Sequence, residues 1–144
     1  MRIKTLRKFI IRVLIIGLVL FAAMQLVPFG RNHTNPPIIR EPAWDRPETR
    51  AIAKKACFNC HSNESEWPWY SFVAPSSWLL QYDVDQARRN INFSEWEDIR
   101  SKYLVQVLEE GEMPPLRYIL LHPEAKLSDK ERDSFITGLQ ATLD

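Results

Sequence analysis

This 144-residue sequence predicts an all-α fold, a small helical domain preceded by a single N-terminal transmembrane helix. Three observations carry that prediction. Residues 9–27 form an apolar run whose only polar members are Arg12 and Gln25. Later stretches repeat apolar residues at helical spacing, and no comparable stretch alternates with the period of two that marks a strand. A 45% hydrophobic content with 26% charged residues marks a chain that folds, and its length allows one compact domain plus something short.

Taken in order, residues 1–29 read as a signal-anchor. Arg2, Lys4, Arg7, Lys8 and Arg12 lead into the apolar run, which as a helix reaches roughly 28 Å against the ~30 Å of a bilayer core. A cleaved signal peptide is the alternative, but the bulky Leu20 and Phe21 stand where a small-x-small cleavage pair needs small residues. The basic N-terminal flank predicts an inner-membrane, single-pass topology with the rest of the chain on the exported, periplasmic side. Residues 30–43, with Pro36, Pro37 and Pro42, read as an extended linker. The domain proper is expected over 44–144. Asp45 and Glu48 look like a capping box opening a short helix through Ile52, Ala53 and Ala56. A second helix is expected from about Pro75 to Asn90. A third starts at the Ser94/Glu97 pair, carries Trp96, Ile99, Tyr103 and Val107, and stops at Gly111. The last opens on Ser128/Glu131 and carries Phe135, Ile136, Leu139 and Leu143.

The net charge of +1 hides an asymmetry. Residues 1–40 hold seven basic and no acidic residues, whereas 41–144 hold twelve basic and eighteen acidic, a balance of −6. An acidic domain excludes a nucleic-acid binder, which needs a basic face for phosphates.

The chemistry is concentrated in Cys57-Phe58-Asn59-Cys60-His61, which contains both cysteines of the chain. Two thiols on one turn followed directly by an imidazole is the arrangement that covalent haem attachment needs: two thioethers to the vinyl groups and a proximal ligand to the iron. A structural disulfide and a thiol-disulfide oxidoreductase pair are the rivals, though the latter belongs in a βαβ context. Zinc would need more ligands than are at hand. For the sixth iron position Met113, in the rigid Gly111-Glu112-Met113-Pro114-Pro115 loop, is the first candidate, with His122 and His33 behind it. Trp67, Trp69 and Tyr70, starting six residues after His61, are expected against the haem, with Trp78 and Trp96 as further crevice candidates. Arg117 and Tyr118 are candidates for its propionates.

These residues, with Ser62-Asn63-Glu64, Trp67-Pro68-Trp69-Tyr70-Ser71, Ala74-Pro75, Ser77-Trp78 and Asn92-Phe93-Ser94-Glu95-Trp96, resemble the bacterial haem-binding domain family, a relative of class I c-type cytochromes, over roughly residues 35–143. The resemblance implies a cytochrome c-like helical fold around one haem c. It implies covalent attachment through Cys57 and Cys60, with His61 as proximal ligand and Met113 at the distal position.

The expected function is therefore a membrane-anchored monohaem c-type cytochrome that binds haem iron and transfers single electrons on the exported face, without enzymatic turnover. Its partner would be a redox protein or a membrane electron-transfer complex. A haem-based sensor with an open or displaceable sixth position is the alternative.

Overall fold

The computed structural model describes residues 2–97 and 101–143. Among them the ordered elements are helical: α1 (Arg2–Met24), α2 (Pro47–Ala56), α3 (Phe58–His61), α4 (Ser76–Asn90), α5 (Ser101–Glu109), α6 (Leu116–Leu121) and α7 (Asp129–Leu143), with 3-10 turns at Trp69–Phe72 and Pro123–Ala125. An isolated parallel bridge pairs Arg40 with Glu95. The all-helical expectation holds. Its transmembrane part does not, because no described helix is long and apolar enough to cross a membrane.

The physical reason lies at both ends of α1. Its first half carries Arg2, Lys4, Arg7, Lys8 and Arg12, so only residues 13–24 are free of charge, about 18 Å of helix against a ~30 Å hydrocarbon core. The apolar run then leaves the helix. Gln25 turns its side chain back, donating from Nε2 to the carbonyls of Phe21 (3.0 Å) and Ala74 (2.9 Å) while its Oε1 accepts from the Ala74 N–H (3.0 Å). Pro28 disfavours helix before it, and Gly30 takes a positive φ of 74°. The expected membrane anchor, single-pass topology and membrane contact through this helix are corrected accordingly.

The chain forms two compact units, Met1–His33 with Pro68–Tyr82, and Thr34–Trp67 with Asp83–Asp144. In the first, His33 is half-buried rather than solvated: its ring meets Phe72 edge-on at 4.3 Å and its Nε2 lies 3.2 Å from the Gly30 carbonyl.

The second unit holds the core. Ala53 and Ala56 of α2, Leu104 and Leu108 of α5, and Phe135 and Leu139 of α7 are buried together. Phe58 and Phe93 stack at 5.5 Å, and Trp96 lies parallel on Phe93 at 5.8 Å. Trp96 is therefore a core residue. From Thr34 onward the proline-rich segment is tied down. Asn63 donates to the Pro37 carbonyl (2.9 Å), Trp96 N–H to the Arg40 carbonyl (2.9 Å), and Arg50 makes two 2.6 Å bonds to the Glu41 carboxylate.

Two of the three expected capping boxes do not form. α2 starts at Pro47 after Arg46, with no side-chain cap, since proline at the first position needs no N–H partner. Among the described residues Ser94 caps no helix; its hydroxyl accepts the Asn63 N–H at 2.9 Å and Asn92 accepts the Ser94 N–H. The described part of α5 is Ser101–Glu109, and Ile99 of the expected stripe lies outside the described residues. The third box is real: Glu131 accepts from the Ser128 N–H (2.9 Å) and hydroxyl (2.8 Å), and Ser128 Oγ accepts from the Glu131 N–H (3.3 Å).

Two outcomes follow for stability. A Cβ at Gly138 would overlap the Thr49 side chain where α7 crosses α2. Overpacking of about 1–3 kcal/mol outweighs the ~1 kcal/mol that Ala adds to a helix, so Gly138→Ala should cost about 1–2 kcal/mol in urea unfolding, recovered when Thr49→Ala is added. The Lys55 ammonium (2.6 Å) and the Ser128 N–H hold the Glu131 carboxyl at about 2. A depressed folded-state value contributes stability above the unfolded value of ~4.3 and loses it as pH falls toward 2. Unfolding midpoints of wild type and Glu131→Gln should therefore converge between pH 5 and 2.

Candidate functional site

The site starts where α2 ends. The Cys57 N–H still donates to the Ala53 carbonyl (2.8 Å), but Cys57 itself leaves helical geometry at φ −124°, and α3 opens as a separate turn. Within that turn Cys60 and His61 donate their N–H groups to the Cys57 carbonyl at 3.1 and 2.8 Å. Positions i, i+3 and i+4 share a face, so Cys57, Cys60 and His61 all line one cavity while Phe58 points into the core and is 1% exposed.

That cavity, about 230 Å³, lies wholly in the second unit. Ala87 and Ile91 of the α4 side, Phe93, and Leu104, Val107 and Leu108 of α5 make its walls apolar. Met113 also lines it. Gly111 ends α5 at φ 71°, with Gly111 N–H bonded to the Leu108 carbonyl and Glu112 N–H to the Val107 carbonyl, a Schellman cap that turns the chain sharply and delivers Met113 to the cavity wall.

Both cysteines are free thiols, and both are protonated far into alkaline pH. Burial, with the neighbouring Cys60, pushes Cys57 up to about 12; burial, with Asp83 nearby, pushes Cys60 up to about 11. A redox-active pair needs a depressed value, so these thiols do not suit the oxidoreductase reading. Burial also lowers the His61 imidazole below its usual range, against the opposing effect of its bond to the Ile91 carbonyl. His61 Nδ1 lies 3.0 Å from that carbonyl, a donor–acceptor pair that places the proton on Nδ1 and leaves Nε2 with a free lone pair. The His61 carbonyl in turn accepts the Phe93 N–H at 2.7 Å. These groups fit a haem: two thiols, one neutral imidazole and one thioether around an apolar cavity.

Other sequence candidates sort differently. Arg117 and Tyr118 line the cavity. His122 does not; its ring stacks on Tyr118 at 4.4 Å and its Nδ1 pairs with Glu124 at 3.0 Å. Trp67 is not part of the lining either. Trp69 and Tyr70 lie in the first unit, where Trp69 is 78% exposed and meets Tyr70 edge-on at 5.9 Å. Trp78 also belongs to that unit. The α4 wall, with Asp83, Gln86 and Asn90, was missing from the sequence reading. Its signal is the stripe Asp83, Gln86, Ala87, Asn90 at helical spacing, in which a run of polar residues looks like a solvated face.

Among the described residues no three or more His, Cys, Asp or Glu side chains gather into a metal-holding cluster. With the absence of a described membrane-crossing helix, this overturns the expectation of a membrane-anchored monohaem c-type cytochrome that transfers single electrons on the exported face.

A family model described as "Haem-binding domain" matches residues 19–141. A curated relative, Cytochrome c peroxidase Ccp of Escherichia coli (strain K12), is 29% identical over 101 residues, covering 61% of this chain. The chain spans about a fifth of that relative, 21% of its length. No solved structure matches.

Buried, protonated thiols should be slow nucleophiles. In the haem-free protein at pH 8, alkylation of Cys57 and Cys60 by iodoacetamide should run at least about 100-fold slower than in urea, where the thiols return to an ordinary value near 8.5.

Proposed function

This chain belongs to the haem-binding domain family, and on that premise we propose that its second unit holds one haem c, covalently attached through Cys57 and Cys60, with His61 and Met113 as the axial ligands. The observation that carries the reading is the convergence of these four side chains on a single apolar cavity. When bound, haem would bring its own iron, so the chain would supply side-chain ligands to it and would need no cluster of its own. Cys57 and Cys60 would hold the group as thioethers to its vinyl carbons, a role for which burial keeps both thiols protonated. The Ile91 carbonyl keeps the proton on His61 Nδ1 and thereby keeps Nε2 available to the iron. The apolar walls exclude water.

With His61 and Met113 both holding the iron, no position on it would be left for a substrate, and the domain would carry no turnover of its own. The name of the peroxidase relative supports a haem-bearing ancestry. Its activity belongs to a protein of which this chain spans about a fifth.

In protein produced with haem-attachment machinery, acid-acetone extraction should leave the haem on the chain. Cys57→Ala or Cys60→Ala should each leave a single link and lower the holo yield. Met113→Ala should convert a low-spin ferric spectrum to high-spin, and His122→Ala should leave it unchanged. Complete loss of haem on extraction of the wild type would refute covalent attachment.

A further inference from the structure

Asn59 sits inside the attachment turn, between the two cysteines, and the binding reading gives it nothing to do. Its side chain is fully engaged nonetheless. Nδ2 donates to the Tyr118 hydroxyl at 2.9 Å, and Oδ1 accepts the Glu66 N–H at 3.0 Å. The first of these bonds joins the turn to α6. No residue of α6 is buried, and Leu116, Leu120 and Leu121 are 72%, 74% and 65% exposed. Tyr118 and Ile119 are half-buried and α6 meets the 3-10 turn at Pro123–Ala125, so a six-residue helix has only a small apolar contact to hold it. Its fixed points toward the cavity are Tyr118 on Asn59 and Arg117 on Asp83 of α4, at 2.9 Å.

Met113 precedes α6 by only Pro114 and Pro115, whose fixed φ angles transmit the placement of the helix to the methionine. We infer that Asn59 and Asp83 are positioning residues: through Tyr118 and Arg117 they clamp α6, and so hold Met113 at the iron. The turn that supplies the proximal ligand thereby also sets the distal one. This rests on the reading of Met113 as the sixth ligand, and the test separates the two.

In haem-loaded protein, the measurements are the near-infrared sulfur-to-iron band of the ferric form and the carbon monoxide affinity of the ferrous form. Tyr118→Phe and Asp83→Asn should each weaken the band and raise the carbon monoxide affinity about 2- to 10-fold, the range set by loss of one hydrogen bond or partly exposed ion pair, with haem still attached. Asn59→Ala with Tyr118→Phe should do no more than either change alone. Asp83→Asn, on a different helix, serves if Tyr118→Phe does not fold. If Met113→Ala abolishes the band while Tyr118→Phe and Asp83→Asn match wild type, the clamp is refuted and the ligand reading stands. If Met113→Ala leaves the spectrum untouched, the ligand reading falls and the clamp with it.

Discussion

One short turn has to satisfy two environments at once. Cys57, Cys60 and His61 must face a cavity, and Phe58, between them in sequence, must face the core. The break in helical geometry at Cys57 makes this possible, because α3 can then rotate its face independently of α2. Phe58 anchors the result by stacking on Phe93, whose N–H is held by the His61 carbonyl. Much of the surrounding structure serves that turn. The Asn63, Asn92 and Ser94 network fixes the segment carrying the Ile91 carbonyl, and Arg88 donates to the Ser62 carbonyl at 2.8 Å just beyond the turn.

The cavity walls and the core share residues. Ala56, Phe93, Leu104 and Leu108 belong to both, so the second unit has an opening where a fully packed domain would have side chains. A domain of this size buries limited apolar surface, and a flat apolar group inserted there completes the core as well as supplying chemistry. Protonated thiols and a neutral imidazole reflect the same dry environment, which penalises charge on Cys57, Cys60 and His61.

The spacing of Cys57, Cys60 and His61 was legible because a helical turn converts it directly into a shared face. Gly111 and the Ser128/Glu131 box were legible because each acts within its own turn. What failed depended on partners distant in sequence. Ser94 has the right neighbour for a cap, but the Asn63 N–H claims its hydroxyl. Gln25 reads as one polar residue in an apolar run, yet its bonds to Ala74 end the run as a helix. Trp67, near His61 in sequence and in the same unit, is not among the residues lining the cavity, while Trp69 and Tyr70 belong to the other unit. α6 was invisible because Leu116–Leu121 has no polar alternation or cap, and its place depends on Asn59 and Asp83.

The central claim is that the turn at 57–61 carries a covalently attached haem in this cavity. Trypsin cutting after Lys55 and Arg88 releases residues 56–88 with both cysteines in one peptide. Mass spectrometry of that peptide, from protein made with haem-attachment machinery and denatured before digestion, should show the peptide mass plus one haem. The peptide at its own mass, with free thiols or a Cys57–Cys60 disulfide, would contradict the account.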